Sequence, residues 1–373
     1  MHHDNLAPQL VLPPQSPTMQ RKWEHIRICT QEAVTFEKSN GFEHYHFDHQ
    51  ALPELCLEEI DTSTTFLGKR FRYPFFIEAL TGGCPGTETI NQNLARAAQT
   101  MGIGMGVGSQ RAMLDDPSLA YTYQVRHVAP DILILGNIGA TQLTGRHAEE
   151  IGALVPAIGA DGLAIHLNAA QELCQPEGDR DWRAVSSNIR TLCRSLSVPV
   201  IVKETGCGLS GGIAATLESA GVSALDVAGA GGTSFTRVEY HRGANLAEAF
   251  FEWGIPTAES LRQCTRMVNL PIIASGGIRT GLEAAKAIAM GASIVGLALP
   301  LLKPAMQSSK VVVDTLQRLA KELKMAMFLT GAPNLRALAQ TRVVESVHRK
   351  ARPYGRKQIY HLSNCNGRPP FPV

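Results

Sequence analysis

Eight apolar segments recur through this chain at the spacing of strand–helix units, and that repetition constrains the fold more than any other feature. They begin near Phe75 (FFIEAL), Ile103 (IGMGV), Ile132 (ILILGN), Gly162 (GLAIHL), Pro199 (PVIVKE), Ala224 (ALDVAG), Pro271 (PIIASGG) and Ser293 (SIVGLAL). Short β-branched runs of this kind suit strands buried on both faces of a parallel sheet. Helical patterns fill the intervals, at Thr89 to Met101, Ala148 to Ile158, Trp182 to Leu196 and Gly212 to Ala220. Most segments end in glycine plus polar residues: TGG, GSQR, GN, HLN, KE, GAGGTS and SGGIR. Eight repeats with polar clusters at the strand ends predict a (β/α)8 barrel, a TIM barrel whose active site lies on the C-terminal face of its strands. A doubly wound sheet shares the alternation but does not need eight repeats.

The clearest unit is Pro271 to Pro300. A strand to Ala274 leads into Ser275-Gly276-Gly277-Ile278-Arg279, then a helix with Leu282, Ala285, Ile288 and Ala289 on one face, then a second strand from Ser293 to Ala298. The two glycines bring backbone N–H groups close to an anion, the helix offers its positive end, and Arg279 adds a charge. Loops after strands seven and eight of a barrel are a common phosphate site. Taken alone, the glycines are equally well explained as a tight turn.

Composition narrows the class. With 373 residues, 44% hydrophobic and 18% charged, the chain can bury one large core. No apolar run is long enough to span a bilayer, and the first residues lack the pattern of a secretory signal, so a cytoplasmic location is expected. The 8 cysteines include no C-x-x-C pair, which argues for reduced thiols rather than a zinc site or disulfide framework. Residues 1–20, rich in proline, read as a disordered leader, residues 21–341 as one catalytic domain, and 342–373 as a basic tail. The tail carries a net +6 within an overall charge of +2, so the preceding chain is net −4. Without interleaved aromatics it reads as a solvated terminus, with no nucleic-acid or membrane partner. The long interval Gly229 to Leu270, with TSFTRVEYHRG and a helix-like ANLAEAFFEW, reads as a lid or binding loop, and Val311 to Ala326 and Pro333 to Ala339 as closing helices. His44, His46 and His49 cluster, but no second group completes a metal-ligand set.

Candidate chemistry lies at the strand ends. Thr81-Gly82-Gly83 supplies a hydroxyl and a close backbone approach, Ser109-Gln110-Arg111 a hydroxyl, an amide and a cation, and Asn137 an amide. Lys203 brings positive charge, and Thr233 follows a second glycine cradle. The densest stretch is His166-Leu167-Asn168-Ala169-Ala170-Gln171-Glu172, where Glu172 suits Mg²⁺ shared with phosphate oxygens and water. No G-x-S-x-G elbow is present.

Arg21-Lys22-x-x-His25, LTGG, GSQR, HLNAAQE, VKE, AGGTS and SGGIRTG, in that order from about Arg21 to Arg336, resemble type 2 isopentenyl-diphosphate delta-isomerase. The resemblance implies an FMN- and Mg²⁺-dependent enzyme, kept reduced by NADPH, that interconverts isopentenyl and dimethylallyl diphosphate. It implies FMN contacts at Leu80, Thr81, Gly82, Ser109, Asn137, Lys203, Thr233, Gly277, Ile278, Arg279, Ala298 and Leu299. Substrate contacts fall on Arg21, Lys22, His25, Ser109, Gln110, Arg111, His166, Asn168 and Gln171, with Glu172 as the metal ligand. It further implies a homotetramer or homo-octamer, with an N-terminal segment able to complete a neighbour's site. In the implied mechanism reduced FMN is the principal acid–base, and Gln171 positions or relays a proton. Two positions depart from the family pattern: Ala228 replaces a frequent serine and Leu80 a frequent methionine. A 2-hydroxy-acid oxidase would show N-H-G-G-R where this chain has ASGGIR, and an inosine-monophosphate-type dehydrogenase a cysteine where it has GAGGTS. A non-catalytic flavin sensor would leave the diphosphate-side residues without a purpose.

Overall fold

All eight apolar segments form strands. They are β1 (Phe75–Ile77), β2 (Gly104–Gly106), β3 (Ile134–Gly139), β4 (Gly162–Leu167), β5 (Val200–Glu204), β6 (Ala224–Asp226), β7 (Ile272–Ala274) and β8 (Ile294–Leu297). Each pairs in parallel with its sequence neighbours, and β8 pairs with β1 to close the barrel. The computed structural model describes residues 17–245 and 247–346. Most of the proposed leader and tail, residues 1–16 and 347–373, lies outside the described residues.

Closure puts nearly every strand residue out of water, which is why the strands read as apolar runs without alternation. Register then aligns the polar exceptions. Gly139 pairs with His166, His166 with Lys203, and Lys203 with Asp226, forming one row across four strands near their C-terminal ends. That row is the floor on which the site is built.

Helix α1 (Pro17–Gln31) precedes the barrel and buries Met19, Ile26 and Ile28. It begins four residues before the domain boundary read from the sequence. Helix α2 (Thr87–Met101) buries Ile90, Leu94, Ala97, Ala98 and Met101, a helical stripe, and stops at Gly102 in the left-handed conformation. The short helices α3 (Ala169–Cys174) and α4 (Phe235–His241) follow β4 and β6. Helix α5 (Gly281–Ala289) packs against the long α6 (Ser309–Leu329), which also packs on α2.

Several local expectations are corrected. Of the face expected for α5, Ala285 and Ile288 are buried, but Leu282 is 47% exposed and Ala289 only partly buried; Gly281, Ala284 and Ala287 complete the buried face. Small residues are needed there because a Cβ on Gly281 would strike the α6 backbone at Leu319 and Leu323. The helix expected over Ala148 to Ile158 is two short helices, broken after Gly152. Within ANLAEAFFEW only the turn Glu248–Phe250 is helical among the described residues; the longer helix in this interval is Thr257–Met267. A helix over Leu299–Gln307 went unread because Pro300 and Pro304 lie in it, the first being tolerated in the opening turn. Val343–Glu345, placed in the tail, pairs antiparallel with Tyr45–Phe47.

The positive end of α5 is not offered to a ligand. Thr280 and Glu283 form a capping box, and the Glu283 carboxylate also accepts the Arg279 N–H at 2.9 Å. Glu322 takes the Gly281 N–H at 2.7 Å. The helix end is therefore closed by the protein's own carboxylates. Thr280→Ala removes one side of this box and is expected to cost about 1 kcal/mol in urea unfolding. Thr216→Ala, on an exposed helix face, should change stability by less than about 0.5 kcal/mol.

Candidate active site

The strand ends and the loops that follow them enclose a cavity of about 250 Å³. Of the residues singled out from the sequence, Arg21, Lys22, His25, Leu80, Thr81, Ser109, Arg111, Asn137, His166, Asn168, Gln171, Glu172, Lys203, Thr233, Gly277, Ile278, Arg279, Ala298 and Leu299 border it. Gln110 and Gly82 do not. Gln110 is fully buried, its Nε2 donating to the Leu154 carbonyl at 3.0 Å and its Oε1 accepting the Asn137 N–H at 2.9 Å. It staples the start of the third loop and has no free amide for a substrate. Gly82 is required for a different reason than ligand approach: a Cβ there would enter the Tyr123 ring.

Helix α1 lies at the cavity through a node that sequence reading missed. Glu239 of α4 is completely buried. Its Oε1 accepts from Gln171 Nε2 at 3.0 Å and meets His25 Nε2 at 2.9 Å. Its Oε2 accepts from Arg242 at 2.6 Å, and Arg242 also reaches Glu24 of α1 and Glu177. Burial pushes the Glu239 carboxyl up, but His25, Gln171 and Arg242 together hold it below its ordinary value. The signal was present as Glu239 and Arg242 one turn apart in VEYHR, but exposed ion pairs have the same spacing.

Gln171 is thereby held at both ends, since its Oε1 accepts from Asn168 at 3.3 Å. Asn168 also donates to Glu172 Oε1 at 2.9 Å, and the Asp179 N–H donates to Glu172 Oε2 at 2.7 Å. The Glu172 carboxylate is oriented and near enough to Arg21 to raise its pKa, but among the described residues it forms no direct ion pair. Asp179 in turn meets Arg111 at 3.4 Å. Among the described residues no three His, Cys, Asp or Glu side chains cluster as a complete metal site. One oriented carboxylate fits a hard cation that completes its shell with phosphate oxygens and water.

Cationic charge gathers on the same side. Burial, then the Arg21 charge, pushes Lys22 down to about 8, while its Nζ donates to the Ser109 carbonyl at 3.1 Å. Burial and Arg111 likewise lower Arg21. Crowded cations of lowered pKa are stabilised by an arriving anion. His166 is pushed down to about 3 by burial and by Lys203, so it is neutral. Its Nδ1 lies 2.8 Å from Asn137 Oδ1, an acceptor, which fixes the proton there and leaves Nε2 as an acceptor. Cysteine nucleophiles are not indicated: burial pushes Cys29, on the cavity wall, up to about 12.

A second anion cradle lies in the SGGIR turn. Among the described residues no acceptor takes the backbone N–H of Gly277 or Ile278. Among the described residues the Arg279 guanidinium bonds only the adjacent Ile278 carbonyl, at 3.0 Å, and burial lowers its pKa. A Cβ on Gly276 would collide with Gly229, and one on Gly277 with Gly231. The glycines interlock two loops, and the interlock exposes the free N–H groups. Thr81 Oγ1 is buried without a hydrogen-bond partner on the same cavity wall. Ala228, the departure from serine, borders the cavity at φ 38°, an uncommon conformation for a residue with a side chain.

Comparisons with known proteins agree with this geometry. The family described as FMN-dependent dehydrogenase matches residues 16–115 and 161–345. Curated relatives named isopentenyl-diphosphate delta-isomerase include one from Synechococcus sp., 49% identical over 87% of this chain and 96% of its own length. Another, from Thermococcus kodakarensis, is 46% identical over 88% and 91%, and one from Rickettsia rickettsii is 45% identical over 89% and 99%. Among solved structures, a flavocytochrome b2 variant with pyruvate bound has a TM-score of 0.64 at 15% identity, covering 93% of this chain and 89% of its own. A mandelate oxidase variant with a monooxide FMN adduct has 0.59 at 19%, covering 86% and 92%. These two share the barrel fold.

The position of Lys22 yields a pH prediction. Below about pH 8 the lysine is charged in the free protein, and anion binding needs no proton; above it, binding must take one up. Affinity for inorganic pyrophosphate should therefore fall by up to about tenfold per pH unit above that point. Calorimetry on wild type and Lys22→Met isolates the effect from the ligand's own titration; an identical pH profile in the two would refute it.

Proposed function

The chain belongs to the isopentenyl-diphosphate delta-isomerases of the FMN-dependent dehydrogenase family, and from that premise we propose that its barrel mouth interconverts isopentenyl and dimethylallyl diphosphate using reduced FMN and Mg²⁺. One observation carries this reading: the cationic group of Arg21, Lys22 and Arg111, the amide–carboxylate group of Asn168, Gln171 and Glu172, and the SGGIR cradle all border a single cavity.

The residues fit a flavin phosphate and ring. The free N–H groups of Gly277 and Ile278 and the under-used Arg279 match a phosphate, and the unpartnered Thr81 Oγ1 matches a ring heteroatom. Lys203, Asn137, Ser109, Leu80, Thr233, Ala298 and Leu299 complete the proposed contacts. When bound and reduced, with NADPH as proposed reductant, FMN supplies an electron-rich ring and an exchangeable proton. Mg²⁺ at Glu172 would share the substrate's diphosphate charge.

The chain's own residues do the rest. Arg21, Lys22 and Arg111 bind the diphosphate, and His25 is positioned by Glu239 beside them. Neutral His166 offers an acceptor at Nε2, and Asn168 fixes Glu172. Isomerisation adds a proton at the terminal methylene carbon and removes one from the allylic carbon, so no net oxidation occurs. Gln171, held between Glu239 and Asn168, keeps one amide orientation at this reaction and orders or relays a proton. The oxidase alternative lacks its histidine: Ser275 stands before the glycines and donates to Asp226 at 2.6 Å.

A cytoplasmic homotetramer or homo-octamer belongs to the same reading. Self-association is consistent with the exposed side chains of Tyr240, Phe250 and Trp253, at 38%, 45% and 62%. No described helix is long and apolar enough to cross a membrane.

Gln171→Ala should lower kcat by about 100-fold while leaving substrate affinity within about threefold, the signature of a group acting in the chemical step. Glu172→Gln should raise the Mg²⁺ concentration needed for half-maximal turnover. Full turnover in Gln171→Ala would remove its proposed role, and an unchanged Mg²⁺ requirement in Glu172→Gln would remove the metal assignment.

A further inference from the structure

At the floor of the cavity Lys203 faces two carboxylates, Glu78 and Asp226, that the proposed chemistry leaves unused. Lys203 Nζ lies 3.5 Å from Asp226 Oδ2 and 3.7 Å from Glu78 Oε2. Its hydrogen bond goes instead to the Glu204 carbonyl, at 2.7 Å. Both carboxylates are nearly inaccessible, Glu78 at 4% and Asp226 at 0%. Two ionised carboxylates against one ammonium would leave a buried net negative charge, which is costly without further donors.

Those donors are present for only one of the two. Asp226 Oδ1 accepts from Ser275 Oγ at 2.6 Å and from the Ala228 N–H at 3.2 Å. Glu78 Oε2 is faced by Lys203 at 3.7 Å, and among the described residues Glu78 Oε1 and Asp226 Oδ2 are both buried without a hydrogen-bond partner. Nearby charge does not supply the deficit. The Glu204 carboxylate is taken up by the backbone N–H groups of Thr205 and Gly206, at 2.6 and 2.7 Å, and of Cys207. His166, the register partner of Lys203, is neutral and donates to Asn137.

We propose that Glu78 and Asp226 share a single proton, resting on Glu78, and act together as one counter-charge to Lys203. The group of Lys203, Asp226 and Glu78 is then electrically neutral before any cofactor binds. Burial, followed by the Asp226 charge, raises the Glu78 carboxyl well above its ordinary value, while Asp226, Glu78 and Glu204 together outweigh burial and hold Lys203 above its own. Glu78 is thus a positioning residue acting through Lys203. An uncompensated ammonium would hold a reduced flavin's negative charge tightly and lower its basicity. A compensated one leaves the reduced ring electron-rich. This consequence rests on the flavin assignment; the shared proton does not.

Sharing predicts non-additive substitutions. In Glu78→Gln, Asp226 still balances Lys203; in Asp226→Asn, Glu78 gives up its proton and takes over. The ratio of affinities for reduced over oxidised FMN should therefore change by less than about threefold in either single variant. It should rise about tenfold or more in the double variant, where Lys203 stands alone. Infrared spectra of the FMN-free protein at neutral pH test the proton directly. A carboxylic-acid C=O band should be present in wild type and lost in both Glu78→Gln and Asp226→Asn. No band lost in Glu78→Gln, or an affinity ratio that shifts as far in Glu78→Gln as in the double variant, overturns the proposal. Should wild type bind no FMN, the flavin reading fails, while the infrared comparison still decides the shared proton; it also decides it if the double variant does not fold.

Discussion

A fully buried carboxylate, Glu239, holds this site together. It ties His25 of α1 and Gln171 of the β4 loop to Arg242 of its own helix, and Arg242 extends the tie to Glu24 and Glu177. Removing one partner from a buried charge cluster costs about 3–5 kcal/mol. The node therefore fixes α1 across the barrel mouth and brings Arg21 and Lys22 to the cavity. Without it, the substrate-side cations would ride on a helix that buries little: Met19, Ile26 and Ile28 are its only fully buried apolar residues.

The barrel organises charge by depth. At its floor Lys203 is balanced by Asp226 and Glu78. In the same row as Lys203, His166 is locked with Asn137 as a neutral pair. Arg21, Lys22 and Arg111 form a cationic rim, with Glu172, Glu177 and Asp179 as acids beside it. Such grading suits a substrate with a diphosphate at one end and a hydrocarbon at the other. In the proposed function the charged end would meet the rim and the apolar end the neutral group of Lys203, Asp226 and Glu78. The SGGIR cradle adds a separate anion position, made from backbone N–H groups and Arg279 because Glu283 and Glu322 close the end of α5.

Strand positions were legible because a closed parallel barrel demands continuous apolar runs; the observed starts fall within two residues of those read from the sequence. The polar strand ends were legible for the same reason, as the only interruptions of those runs. What escaped depended on partners distant in sequence. Gln110 looked like a neighbour of Ser109 and Arg111, yet its amide is consumed by Leu154 and Asn137. Leu282 matched a helical stripe, but α6 approaches so closely that only small residues fit the buried face. Glu78, Asp226 and Glu239 carried no local pattern: a carboxylate's burial is set by the elements that fold over it.

The central claim is that this cavity isomerises a five-carbon diphosphate through a reduced flavin. The most direct measurement is conversion of isopentenyl diphosphate by the purified protein with FMN and Mg²⁺, in parallel with and without NADPH. Dimethylallyl diphosphate formed only in the reduced mixture is the predicted result. Bound flavin with no product under reduction, or equal product without any reductant, would contradict it.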